Sequence, residues 1–229
     1  YCNARELSGI VSRRVRGPHH KGHVVEQYLD VVRALGCAAD EVVFPVRITA
    51  AESAAAEAVA RGAGLDLAKR YVVLAPGANW PNKRWPPLRF AALADRLRQE
   101  GVTPVLCGGT GDVPLAARIA AAAARPPVDL TGRTSLKELA HIVQKARALV
   151  GGDTGPLHLA AALGTPAVAL YGPTDPGRNG PYGRGHKVLV TDQACAGCWR
   201  RACPRGADCL AGISVADVYQ AVRGVLHAD

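Results

Sequence analysis

A chain of 229 residues that is 48% hydrophobic and 21% charged has the composition of a globular protein, long enough for one large packed unit or two small ones. No window holds the roughly 18 consecutive apolar residues of a membrane-spanning helix, and the first residues lack the apolar stretch of a secretory signal, so the expectation is a soluble chain. The net charge of +9 suits an anionic nucleotide, an anionic membrane surface or nucleic acid, and charge alone chooses none of them.

There is no methionine, and the chain opens at Tyr1-Cys2-Asn3, so a start downstream of the natural one is expected. Six basic residues against three acids occupy positions 1–36, which a solvated basic face explains as readily as a binding surface. The first periodic segment predicts a helix over 23–35, and an alanine-rich helix follows over 50–61. Thr49 and Glu52 have the spacing of a capping box at its start. These residues offer too few strands to close a sheet, so 1–68 reads as the tail of a domain whose beginning is missing. From residue 69 to the C-terminus the pattern changes to a complete α/β unit.

There, short β-branched or apolar runs alternate with helical patterns, as in a parallel sheet flanked by helices. Strands are expected at 71–75, 102–107, 128–130, 148–150, 167–171 and, more weakly, 187–190. Helices are expected at 88–99, 113–124, 136–145, 157–163 and 215–226, with Ser135 and Glu138 forming a second capping box.

Three loops follow strands and therefore share the C-terminal sheet edge where open α/β folds place ligands. In Gly151-Gly152-Asp153-Thr154-Gly155-Pro156-Leu157-His158 a strand runs into a helix with proline at its first turn. Unpaired amides at such a helix start bind anions, a phosphate among them. Asp153 and Thr154 also fit plain helix capping, and His158 fits either a ligand contact or packing. The loop 76–86, Pro-Gly-Ala-Asn-Trp-Pro-Asn-Lys-Arg-Trp-Pro, carries Lys83 and Arg84, either able to neutralise a diphosphate, while Trp85 reads as packing beneath the loop. The loop 108–112, Gly-Gly-Thr-Gly-Asp, is neither a P-loop nor a dinucleotide fingerprint. Its small residues would let a nucleoside approach the backbone, with Asp112 read as a helix cap.

Taken together, the segment from Pro76-Gly77 to Pro86, the Asp153-Thr154-Gly155-Pro156-Leu157-His158 segment and Gly172-Pro173-Thr174-Asp175-Pro176 resemble the hallmarks of glycosyltransferase family 9, the ADP-heptose:lipopolysaccharide heptosyltransferases. The resemblance runs from about His23 to the C-terminus. It implies the GT-B architecture, two Rossmann-like domains facing across a cleft, here a C-terminal donor-binding domain over 69–229 and a remnant of the acceptor-side domain over 1–68.

It further implies an inverting transfer of heptose from ADP-heptose to a lipid-linked saccharide of the lipopolysaccharide inner core, with no cofactor required, at the cytoplasmic face of the inner membrane. Another nucleotide-activated sugar passed to a surface glycan, or a non-catalytic nucleotide-sugar-binding module, are the alternatives. Lys83 would contact the donor phosphates, Asp153 the sugar hydroxyls, and the Thr154-Gly155 backbone the diphosphate. His158, Pro76, Gly77 and Pro156 would complete the donor site. Family members carry a glycine-rich loop and an aspartate base near their N-terminus; this sequence shows no counterpart, and Glu26 resembles a helix residue of the first domain instead. The catalytic base is therefore expected outside this chain, which should bind donor better than it transfers sugar.

The seven cysteines argue against a full disulfide framework. Cys195, Cys198, Cys203 and Cys209 form a C-x2-C-x4-C-x5-C array that fits a zinc site or an iron–sulfur cluster, a pair of disulfides, or thiols that bind nothing. Arg200, Arg201 and Arg205 within it also suit nucleic acid, but the donor-site loops point elsewhere and no nucleic-acid partner is expected.

Overall fold

The computed structural model describes residues 15, 17–204, 206 and 208–227, so Cys2 and Arg205 lie outside the described residues. Its apolar runs build six strands, β1 (Tyr71–Ala75), β2 (Thr103–Leu106), β3 (Val128–Asp129), β4 (Ala148–Gly152), β5 (Ala167–Tyr171) and β6 (Lys187–Val190). All pair in parallel, in the order β3-β2-β1-β4-β5-β6. The fold is α/β and Rossmann-like. Parallel neighbours require crossovers, and these are the helices α3 (Pro87–Gln99), α4 (Val113–Ala122), α5 (Leu136–Lys145), α6 (Gly155–Ala162) and α7 (Pro176–Asn179). Before them come α1 (Val24–Ala34) and α2 (Ala50–Gly62), and α8 (Val215–Leu226) closes the chain.

Every residue of β1, β4 and β5 is buried, because helices cover both faces of the sheet. Alternation along β1 divides the core. Val72 and Leu74 point into a cluster with Phe90, Leu93 and Leu97 of α3 and with Val218 and Val222 of α8. Tyr71 and Val73 point the other way, against Ile142 and Val143 of α5 and Leu157 of α6. Ala56 and Ala60 of α2 are fully buried in this second cluster, so α2 packs on the sheet face beside α5, its alanines allowing the close approach.

The expected capping boxes form at both sites, Thr49 with Glu52 and Ser135 with Glu138. Several expected boundaries shift by one or two residues, among them the ends of β2, β3 and α4, and two of the shifts bear on the site. The helix expected from 157 begins at Gly155, since Pro156 fits the first turn. The strand expected to stop at 150 continues through Gly151 and Gly152, which pair with Ala169 and Leu170 of β5.

The crossovers from β1 run to one side of the sheet and those from β4 to the other. β1 and β4 are neighbours, so a crevice opens where their C-terminal ends diverge. The α1 segment meets the loop after β5: His23 Nε2 lies 2.9 Å from the Gly180 carbonyl, the Tyr182 hydroxyl donates to Glu26, and Phe44 packs edge-on against Tyr182.

Candidate functional site at the sheet switch point

The crevice is closed at its floor by one carboxylate. Asp153 leaves the end of β4, and its side chain is 7% exposed. Lys83 Nζ, from the loop after β1, sits 2.6 Å from Asp153 Oδ2; Thr174 Oγ1, from the loop after β5, donates to the same oxygen at 2.9 Å. His158 Nε2, one turn into α6, lies 3.0 Å from Oδ1. Two loops and a helix are thus tied to the acid that ends β4. Burial pushes this carboxyl up, yet the hydrogen bonds from His158 and Lys83, the Lys83 charge and the Thr174 hydroxyl outweigh it and hold it well below the usual aspartate range.

Local sequence explains how the groups meet. Pro81 starts a single helical turn, Pro81–Lys83, which folds Lys83 back over β4. A Cβ at Gly152 would lie 2.2 Å from the Lys83 carbonyl oxygen, so only glycine lets the loop cross the strand there. Lys83 Nζ also stands 4.2 Å from the centre of the Trp80 ring, with the Arg201 guanidinium 5.6 Å from the same ring. Two cations flanking one indole make a positive wall around the carboxylate.

Two cavities flank this centre. One, of about 460 Å³, lies over the glycine loops and is lined by Gly77, Gly108, Asp112, Leu136, Thr154 and Pro156 among others. Gly77 leaves room for the Asp112 carboxylate, which a Cβ there, 2.3 Å away, would displace. The other cavity, of about 510 Å³, opens toward the α1 segment and is lined by His23, Trp80, Lys83, His158, Arg178 and Trp199 among others. A small-residue, backbone-rich chamber beside an aromatic, cationic one suits a ligand with a flat ring at one end and hydroxyls at the other, with charge between them.

Set against the sequence-derived residues, Gly77, Thr154 and Pro156 line the first cavity, Lys83 and His158 the second, and Asp153 joins them. Pro76 is buried at the end of β1 and Gly155 is an exposed first residue of α6; neither lines either of these two cavities. Helix capping does not claim Asp153 or Thr154: Thr154 is the N-cap of α6 and makes no side-chain cap bond, leaving the first-turn amides available to an anion. Trp85 is buried, its indole N–H donating to the Ile213 carbonyl at 3.0 Å, so it packs beneath the loop. Asp112 accepts from the Gly109 amide but makes no cap bond to α4. Sequence reasoning singled out no role for Thr174, Trp80 or Trp199. For Thr174 the signal was its place in the Gly-Pro-Thr-Asp-Pro loop directly after β5, on the same sheet edge.

The cysteine array lies beside this site. Cys195, Cys198, Cys203 and Cys209 line one cavity of about 330 Å³ together with Asn82, Arg200 and Pro204. Among the described residues no three His, Cys, Asp or Glu side chains stand as a closed metal shell. Burial raises the Cys209 thiol, and the neighbouring Cys195, Cys198 and Cys203 raise it further.

The family model for glycosyltransferase family 9 (heptosyltransferase) matches residues 3–207. Lipopolysaccharide heptosyltransferase 1 of Pseudomonas aeruginosa is 39% identical over 134 residues, 58% of this chain and 37% of that protein. Among solved structures, a glycosyl transferase family 9 protein from Veillonella parvula aligns with a TM-score of 0.83 at 26% identity, over 96% of this chain and 64% of its own. The E. coli ADP-heptose lipopolysaccharide heptosyltransferase II aligns with a TM-score of 0.65 at 27% identity, over 79% and 52%. The chain spans less than two thirds of the length of each of these relatives.

Proposed function

The chain belongs to glycosyltransferase family 9, and we propose that it supplies the donor side of an inverting sugar transfer from ADP-heptose to the lipopolysaccharide inner core. The observation that carries this reading is the convergence of Lys83, His158 and Thr174 on Asp153 between two cavities at the switch point. In it, adenosine occupies the glycine-lined cavity and the diphosphate lies over the α6 amides. The heptose enters the aromatic cavity, where its hydroxyls reach Asp153. Names carried by the similar proteins, lipopolysaccharide heptosyltransferase 1 and ADP-heptose heptosyltransferase II, supply the donor and acceptor in this proposal.

As the bond to the diphosphate breaks, negative charge grows on its oxygens. The α6 amides and Lys83, fixed in advance by Asp153, stabilise that charge more than they stabilise the bound substrate. The acceptor hydroxyl attacks from the side of the aromatic cavity, and the base that takes its proton lies outside the residues assigned here. The basic surface suits an anionic, membrane-anchored acceptor at the cytoplasmic face of the inner membrane. No helix among the described residues is long and apolar enough to cross a membrane.

The test is a calorimetric titration with ADP, UDP and GDP. Preferential ADP binding that weakens about a hundredfold or more in Asp153→Ala and Lys83→Ala, a loss near 3 kcal/mol, supports the reading. A folded chain that binds none of the three nucleotides removes it.

A further inference from the structure

The cysteine loop is built into the walls of the donor site. Trp199, directly after Cys198, lines the aromatic cavity with the Arg178 guanidinium 5.4 Å from its ring centre. Its backbone sits at φ 57°, a left-handed conformation that a bulky side chain adopts only when its surroundings impose it. Part of that imposition is visible: the Trp199 amide donates to the Pro173 carbonyl at 2.7 Å, and the Gly197 amide to the Gly172 carbonyl at 2.8 Å. Both acceptors belong to the loop that carries Thr174 to Asp153.

A second tether reaches Lys83. Asn82, its immediate neighbour, donates Nδ2 to the Arg200 carbonyl at 2.6 Å. Asn82 is 9% exposed and lines the cysteine cavity, and its Oδ1 is buried without a hydrogen-bond partner among the described residues. Gly172 accommodates Cys209, whose Sγ would lie 2.8 Å from a Cβ at that glycine. Four cysteines and Asn82 therefore line one small space, and the left-handed Trp199, between Cys198 and Arg200 of that lining, carries its wall to the aromatic cavity.

We propose that Cys195, Cys198, Cys203 and Cys209 hold a thiolate-ligated metal centre, zinc or iron, that fixes Trp199 and Asn82 and so positions the donor site. All four ligands come from one segment, residues 195–209, so the loop closes on the metal without moving the sheet. Arg200, lining the same cavity, offsets the negative charge that four thiolates leave around a divalent ion. The role as a brace for donor binding rests on the function proposed above; the metal site does not.

The experiment uses the full chain purified under reducing conditions. Elemental analysis is expected to find about one zinc per chain, or iron with the visible absorption of iron–thiolate ligation, since zinc thiolates are colourless there. Cys198→Ser and Cys203→Ser should lose the metal. In the wild type, stripping the metal with a chelator should weaken ADP binding about tenfold and shift tryptophan fluorescence, both restored when the metal is returned. Asn82→Ala should keep the metal yet bind ADP several-fold more weakly, which separates the tether from the site.

A folded wild type that contains neither metal and takes up neither added Zn²⁺ nor Fe²⁺ overturns the proposal, however the serine variants fold. A metal that leaves ADP affinity unchanged on removal, or an Asn82→Ala chain with wild-type affinity, overturns the bracing role. A metal-loaded chain that binds no ADP removes the donor reading and leaves the metal site standing on its own stoichiometry.

Discussion

Asp153 concentrates the energetics of the site in one side chain. Lys83 is 13% exposed and Asp153 7%, so removing either partner leaves the other charge poorly solvated. Lys83→Ala should destabilise the chain by about 3 kcal/mol, measured by urea unfolding at neutral pH. The pH dependence has a definite sign. The Asp153 carboxyl is held below its ordinary value of 3.8, so its stabilisation is complete above about pH 4 and is lost as pH falls toward the folded value. Wild type should exceed Asp153→Asn in stability at pH 6, and the gap should narrow as unfolding is repeated from pH 4 downward. A gap that stays constant across that range means the carboxylate is not what the three partners stabilise. Lys83, Asp153 and His158 were legible in the sequence because each sits in a loop or helix start directly after a parallel strand. Thr174 shares that edge, in the loop directly after β5, but its bond to Asp153 was not legible, because it depends on how far that loop leans over β4, a distance no spacing encodes.

At the level of elements, alternation of apolar runs with helical periods gave the sheet strand by strand, since strands buried on both faces are unbroken runs. Capping boxes located two helix starts to the residue. The single turn Pro81–Lys83 escaped because three residues carry no period, although that turn aims Lys83. Its dependence on β4 can be tested. In Gly152→Ala the new Cβ would overlap the Lys83 carbonyl oxygen, which is backbone and cannot rotate away. Expected are a loss of about 1 to 3 kcal/mol in urea unfolding and a loss of nucleotide affinity in calorimetry, because the turn must lift Lys83 off Asp153. Gly62→Ala, at the end of α2, where a Cβ meets nothing within 4 Å, is the control and should leave affinity close to wild type. Equal affinities in the two variants would show that the close crossing at Gly152 does not set the position of Lys83.

For the whole molecule, the change of pattern near residue 69 marks where the strands begin, and that need not be where the cooperative unit begins. Ala56, Ala60 and Leu65 share a buried cluster with Tyr71, Val73 and Leu149 of the sheet, and Val59 and Leu67 pack against it. The Tyr71 hydroxyl, donating to the Ile142 carbonyl at 2.6 Å, lies in that layer, so water admitted there would compete for a buried bond. The earlier α1 segment is held through the loop after β5, by His23 to Gly180, Glu26 to Tyr182 and Phe44 on Tyr182. Periodicity could not separate these two cases, because both segments read as helices before the first strand. Two shortened chains should separate them. One beginning at Val46 keeps α2 and should unfold near the full-length midpoint, since the sheet retains both covering layers. One beginning at Lys69 uncovers a face of the sheet and should lose more than about 4 kcal/mol, a large share of the stability of a typical domain. Indistinguishable urea midpoints for the two would place α2 outside the cooperative core and restore the division between residues 68 and 69. A large difference makes α2 part of the donor-side unit, leaving α1 and its loop as the wall that closes the aromatic cavity from the other side.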